Sequence, residues 1–294
     1  MSNGVKKVLI LANPNSGIER RQKLALKKLV KKLEKERISY QIFQKVEDIP
    51  LTIIDQSVDR LIVLGGDGTI SFAARFLYRN NIDLPIAIIP VGSGNVFAQA
   101  LKISLIIRKA IKTALFGSPK KIPLGQVNNN EIFITGVTTG LHADLMNGTP
   151  RWSKRIIGTV AYYLKLPFHL FRIKKHHYTL TLPNQAPFRI KASAVFVLSG
   201  LPRVGGEPLN RMDPLKPMLY TLVLEIAKPS ELARAFSEVF ILRKKPKNKV
   251  HYFETKSVIL ETKHALLTID GEMTSKKKLK ISIASKPMRF LLPK

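Results

Sequence analysis

Residues 61–69 read Leu-Ile-Val-Leu-Gly-Gly-Asp-Gly-Thr. An uninterrupted apolar run of this length reads as a buried strand, and it runs directly into glycines that bracket one aspartate. Such a strand places bare backbone and a carboxylate at the carboxyl edge of a sheet, the edge where open α/β folds bind ligands. Glycine carries no Cβ, so the N–H groups of such a turn can approach a phosphate closely. A carboxylate repels a phosphate. Asp67 is therefore read as holding a metal, taking a proton or capping the following helix.

The pattern recurs. Residues 6–12 form an apolar strand that ends in Asn13-Pro14-Asn15-Ser16-Gly17, and residues 84–90 form another that ends in Val91-Gly92-Ser93-Gly94-Asn95. Helical spacing follows each turn, over 20–37, 71–79 and from Asn95 through Leu101, with a short strand near Tyr40–Phe43 and a helix-like or irregular stretch to Ser57. Strand, turn and helix in this order predict a parallel α/β sheet with all three turns at one edge. No Gly-x4-Gly-Lys-Ser/Thr loop is present, and no Gly-x-Gly-x-x-Gly follows the first strand, which argues against a P-loop or a dinucleotide site of Rossmann type.

After about residue 122 the rhythm changes. Short β-rich runs at 131–137, 177–182, 187–198, 219–226, 251–261, 265–269 and 279–284, separated by turn residues, predict a mainly antiparallel β domain, with helical stretches at 153–168 and 229–242. The chain has 294 residues with 45% hydrophobic content, enough for one large domain or two modest ones. It has no cysteine, so disulfides and thiolate metal sites are excluded. Its first apolar run is too short for a signal peptide, and no stretch approaches the roughly 18 apolar residues of a membrane span; a cytoplasmic location is expected. The formal net charge of +29 requires counter-charges, from anionic lipid, phosphorylated substrates or nucleic acid. No recognised nucleic-acid motif accompanies the charge, which counts against the last.

Taken together, Asn13-Pro14-x-Ser16-Gly17, Gly65-Gly66-Asp67-Gly68-Thr69, Pro90-x-Gly92-Ser93-Gly94-Asn95-x-Phe97-Ala98 and the late Ile269-Asp270-Gly271-Glu272 resemble the diacylglycerol kinase catalytic family, which includes bacterial lipid kinases and sphingosine kinases. Gly140 with Ala143, Gly158 with Ala161-Tyr162, and Gly205-Gly206 match its landmarks more loosely. The resemblance implies an α/β plus β architecture: a phosphofructokinase-like parallel α/β domain over 1–122, to which a last strand at about 285–294 returns, and an antiparallel β-sandwich over 123–284 that takes the lipid. It implies transfer of the ATP γ-phosphate to a lipid hydroxyl, such as that of diacylglycerol or a sphingoid-like lipid, with Mg²⁺, in a cleft between the domains.

On that resemblance, Asn13, Ser16, Gly17, Gly65, Gly66, Asp67, Gly68, Thr69, Gly92, Ser93 and Asn95 contact the nucleotide. Each also has a plainer reading as turn or capping chemistry. Asp67, Asp270 and Glu272 divide metal holding and base duty, because a lipid hydroxyl needs a proton acceptor. Glu272 is the favoured acceptor, with Asp67 next, and Asp67 and Asp270 are the metal candidates. Asp270-Gly271 is equally a hairpin turn. Three positions depart from the family pattern: Ser71, Phe72 and Val96. The stretch Leu215-Lys216-Pro217-Met218 stands where bacterial members carry acidic ligands of a structural Mg²⁺, so that metal site is expected to be absent.

Aromatic and basic residues mix over 151–178, and basic loops follow at 243–249 and 276–280, a composition suited to transient contact with an anionic membrane. A homodimer is left open. NAD kinase, which shares Gly-Gly-Asp-Gly, is the nearest alternative activity. A lipid- or nucleotide-binding member without efficient turnover is another.

Overall fold

The computed structural model describes residues 5–13, 19–54, 58–140, 173–201, 211–242, 244, 246, 249–263 and 265–294. The expected helix at 153–168, Ser16, Gly17 and Gly205-Gly206 lie outside them. The chain divides into two units, Met1–Ile122 with Pro287–Lys294, and Pro123–Lys286.

The first unit is an α/β layer structure. Strands β1 (Lys7–Ala12), β2 (Ser39–Phe43), β3 (Arg60–Gly65) and β4 (Ile86–Pro90) are parallel, and β5 (Ser118–Ile122) lies at the far edge. The final strand of the chain, Met288–Leu292, inserts between them, parallel to β4 and antiparallel to β5. Helices α1 (Glu19–Lys35), α2 (Leu51–Ile54), α3 (Asp67–Arg79), α4 (Val96–Ala100) and α5 (Ile107–Phe116) connect the strands. Strand side chains alternate between faces. Val8, Ile10, Ile62, Leu64, Ala87 and Ile89 pack in one cluster with Ala25, Leu29 and Leu33 of α1 and Ala110, Ile111 and Ala114 of α5. Leu9, Leu11, Leu61, Val63 and Ile88, of the opposite parity, are buried as well. Cover on both faces is what makes these strands continuous apolar runs.

The second unit contains two six-stranded antiparallel sheets. One holds β6 (Gly125–Val127), β7 (Glu131–Phe133), β9 (His176–Thr181), β10 (Phe188–Ala192), β14 (Ser257–Thr262) and β17 (Lys278–Ile283). The other holds β8 (Gly136–Gly140), β11 (Ala194–Leu198), β12 (Leu219–Leu224), β13 (Val250–Thr255), β15 (Leu267–Ile269) and β16 (Glu272–Thr274). Both contribute to one core, with Phe133, Tyr178, Leu180, Leu260 and Ile281 from the first sheet and Val137, Val195, Val197, Val223 and Ile269 from the second. This is a β-sandwich, and with the parallel α/β unit it gives the expected fold class.

Three runs that read as single strands are each two. The chain passes from one sheet to the other between β7 and β8, at Ser193 between β10 and β11, and at Lys256 between β13 and β14. Strands that change sheets form the corners of a sandwich. The stretch 229–242 is a helix only to Phe236 and continues as a π-turn over Ser237–Ile241.

At the β6–β7 pair, Gly125 lies opposite Phe133. A Cβ on Gly125 would stand 1.9 Å from the Phe133 ring, which is fully buried. Gly125→Ala is therefore expected to destabilise the protein by about 1–3 kcal/mol through overpacking. Denaturant unfolding checks this; an unchanged midpoint would contradict it.

Candidate active site

In the first unit the second and third glycine turns meet backbone to backbone. A Cβ on Gly92 would lie 2.5 Å from the Gly66 Cα, so neither strand-end turn tolerates a side chain there. A Cβ on Gly65 would lie 2.5 Å from the Thr69 Cβ, which fixes glycine at the end of β3. These three glycines are packing residues.

Asp67 opens α3, and its carboxylate turns to the other motif. Oδ2 accepts the Val96 N–H at 3.0 Å and Oδ1 accepts the Phe97 N–H at 2.9 Å. These amides belong to the first turn of α4, where no intrahelical carbonyl is available. Asp67 thus caps a helix, but α4 rather than its own α3. The positive ends of two helices converge on one carboxylate. Phe97 is buried beyond the cap and packs edge-on against Phe290 of the last strand, with ring centroids 5.1 Å apart.

Asn95 holds the third turn together. Its φ of 51° is left-handed, its Oδ1 accepts the Gly92 N–H at 3.0 Å, and its Nδ2 donates to the Gly92 carbonyl at 2.7 Å. The side chain is buried, so its observed partner is the turn. Ser93 is exposed at the same turn. At the first turn, the carbonyl of Asn13 accepts a 2.7 Å hydrogen bond from Nε2 of the buried Gln22.

Gly68 differs from its neighbours. It is exposed in the first turn of α3, it has no positive φ, and, beyond its chain neighbours and the backbone of its own helix, no atom of the described residues lies within 4 Å of where its Cβ would stand. Glycine in a helix costs about 0.5–1 kcal/mol relative to alanine. Among the described residues, neither packing nor backbone strain accounts for it. Open space beside the first-turn amides of a helix is what an approaching anion requires.

Asp270 and Glu272 belong to the second unit. Asp270 and Gly271 have φ of 48° and 83° and join β15 to β16. Two consecutive positive φ values make this the type I′ hairpin that Asp-Gly favours. The Asp270 carboxylate gathers the loop between β7 and β8. Oδ1 accepts from Thr135 N–H at 2.8 Å, Thr135 Oγ1 at 2.6 Å and Gly136 N–H at 3.2 Å, and Oδ2 accepts from Ile134 N–H at 3.0 Å. These amides lie where the chain crosses between sheets and leaves the strand ladder, so they need another acceptor. Glu272 begins β16 and is exposed.

The departures take clear positions. Val96 contributes its backbone N–H to Asp67, a contact that does not depend on its side chain. Ser71 is buried, and Phe72 is exposed on α3. Among the described residues, no three His, Asp or Glu side chains converge on a possible metal position.

Residues 7–127 match the family model of the diacylglycerol kinase catalytic domain. A diacylglycerol kinase of Staphylococcus saprophyticus is 28% identical over 280 residues, covering 92% of this chain and 90% of that protein. The crystal structure of a diacylglycerol kinase from Bacillus anthracis superposes with a TM-score of 0.71 at 19% identity, over 99% of this chain and 98% of that one. An NAD kinase from Archaeoglobus fulgidus in complex with ATP is more distant in fold, with a TM-score of 0.54 at 12% identity over 97% and 93% of the two chains. The glycine turns fall inside the matched domain, and the sequence likeness continues through the second unit to cover nine-tenths of both proteins. The first unit thus matches the diacylglycerol kinase catalytic domain, and the chain as a whole is similar to a diacylglycerol kinase.

Proposed function

We propose that this protein is an ATP-dependent lipid kinase in which the first unit binds the nucleotide and the second takes the lipid. The observation that carries the nucleotide half is Gly68. It is the glycine of the Gly-Gly-Asp-Gly turn that no packing among the described residues requires, and it stands at a helix N-terminus where phosphate is favoured. Gly68 and Thr69 offer backbone amides to the phosphates, and Ser93 offers a hydroxyl from the adjoining turn. The match of residues 7–127 to the family model and the similarity to a diacylglycerol kinase support a lipid hydroxyl as the acceptor.

In the reaction, the lipid oxygen forms a bond to the γ-phosphorus as the bond to the β,γ-bridging oxygen breaks. ADP leaves, and the hydroxyl proton passes to a carboxylate. Glu272 is the proposed acceptor, because it is exposed. Asp270 is engaged by four donors that fix the β7–β8 loop beside the Glu272 hairpin, a positioning task. This arrangement does not suit Asp270 as a metal ligand. Asp67 suits one better: Mg²⁺ takes one or two carboxylates together with substrate phosphates and water, and Asp67 sits at the phosphate-binding edge. When bound, Mg²⁺ would offset phosphate charge.

NAD kinase is the second reading, favoured by the shared fold alone. Labelled ATP offered to diacylglycerol, a sphingoid base, ceramide and NAD separates the two. Label in a lipid supports the proposal; label only in NAD, or in no acceptor, overturns it.

Two variants divide chemistry from architecture. Gly68→Ala is expected to leave the melting temperature unchanged, or to raise stability by about 0.5–1 kcal/mol. It should raise the KM for ATP by about tenfold, equivalent to about 1.4 kcal/mol. An unchanged KM would remove Gly68 from the site. Asp67→Asn is expected to lose stability by about 1–3 kcal/mol, because an amide cannot accept at both atoms, and to lose phosphate transfer as well. Thermal melts and transfer assays on the same preparation check both effects.

A further inference from the structure

The first unit has a surface whose composition neither the fold nor the nucleotide site explains. Helices α1 and α5 lie side by side on one face of the sheet. Arg21 of α1 donates from Nη2 to the Leu105 carbonyl, just before α5, at 2.7 Å. Near the other end, Lys32 Nζ stands 5.8 Å from the ring centroid of Phe116, the last residue of α5. The helices therefore run parallel, with their N-termini together. Because α1 follows β1, those N-termini lie at the carboxyl edge of the sheet, the edge that carries Gly68.

At that end three large aliphatic side chains face solvent: Leu24 at 47% exposure, Leu105 at 38% and Ile106 at 58%. Leu24 is one turn from Arg21, so it lies on the flank that meets Leu105. Behind this cluster the outer faces of both helices are basic. Lys28 and Lys31 continue the Leu24 row at i+4 and i+7, and Arg108, Lys109 and Lys112 are exposed on α5. No Asp or Glu occurs between Glu19 and Glu34, or between Asp83 and Glu131. The bland explanation, a solvated lysine face, accounts for the charge. It does not account for three exposed aliphatics gathered at one end of it.

We propose that the outer face of α1 and α5 docks on an anionic lipid surface, with Leu24, Leu105 and Ile106 entering the interface and the lysines and arginines facing the headgroups. Stable membrane contact takes two signals, an apolar insertion and a basic patch, and this face carries both. Aliphatic side chains offer no ring face for base stacking, which disfavours single-stranded nucleic acid. Two copies of a face this basic would repel each other. The proposal rests on the lipid-kinase reading for its purpose: it turns the carboxyl edge of the sheet, with Gly68, toward the bilayer that holds the acceptor. It also names a surface other than the segments at 151–178, 243–249 and 276–280, which composition alone brings forward.

The test is sedimentation of the full chain with vesicles of phosphatidylcholine, with or without phosphatidylglycerol. Wild type is expected to bind the mixed vesicles and not the neutral ones. The double variants Leu24→Asp/Ile106→Asp and Lys28→Glu/Lys109→Glu should each lower partitioning by at least about fivefold. Leu215→Asp, an exposed leucine of the second unit, should bind as wild type does. Equal binding to both vesicle types, no binding, full binding by the first double variant, or tighter binding to duplex DNA at the same salt would each overturn the proposal. Phosphate transfer to a water-soluble short-chain diacylglycerol keeps the two readings apart. If the vesicle pattern holds and transfer is absent, docking stands and the kinase reading falls. If transfer persists in variants that bind vesicles as well as wild type does, the kinase reading stands and this surface does not.

Discussion

The carboxylate of Asp67 is the interaction on which the meeting of the two glycine turns in the first unit depends. Two glycine turns can touch at Gly66 and Gly92 only if their helices start at a fixed separation. Asp67 sets it by accepting the first two amides of α4 while opening α3. A charged acceptor makes such bonds stronger than neutral ones. The aspartate is thus first a structural link between two motifs nearly thirty residues apart. The part proposed for it in phosphate transfer builds on that link, since the joined helix ends create a positive field beside the open space at Gly68.

Asp270 repeats the device in the second unit. A carboxylate on a tight turn satisfies amides that a sheet crossing has removed from the ladder. In both units an acidic residue beside glycine does backbone work.

Much of this was legible in the sequence. Strands buried on both faces are unbroken apolar runs, so β1, β3 and β4 and the turns after them stand out, and the family motifs attach to those turns. The helix α5 was readable in principle: Ala110, Ile111, Ala114 and Leu115 recur at helical spacing. The strand β5, with two lysines and little buried surface, gave no apolar signal. At the sheet crossings at Ser193 and Lys256 the inward-facing parity slips by one, from Ile190 and Ala192 to Val195 and Val197 and from Phe253 to Val258 and Leu260, a slip that apolar residues on both sides of each crossing conceal. The partners of Asp67 and Asp270 lie 29–30 and 134–136 residues away, and local pattern does not specify contacts at that distance. The same holds for the α1–α5 surface, whose aliphatic cluster draws Leu24 and Leu105 from segments that only the fold brings together.

The central claim is that Gly68, not the carboxylate beside it, marks where the nucleotide phosphates come closest. Amide chemical shifts of the isotope-labelled protein, followed while a non-hydrolysable ATP analogue is added, test it directly. The account predicts large shifts at Gly68 and Thr69, while the Val96 and Phe97 amides remain slow to exchange because Asp67 still holds them. Shifts that bypass Gly68, or release of the Val96 and Phe97 amides on binding, would contradict it.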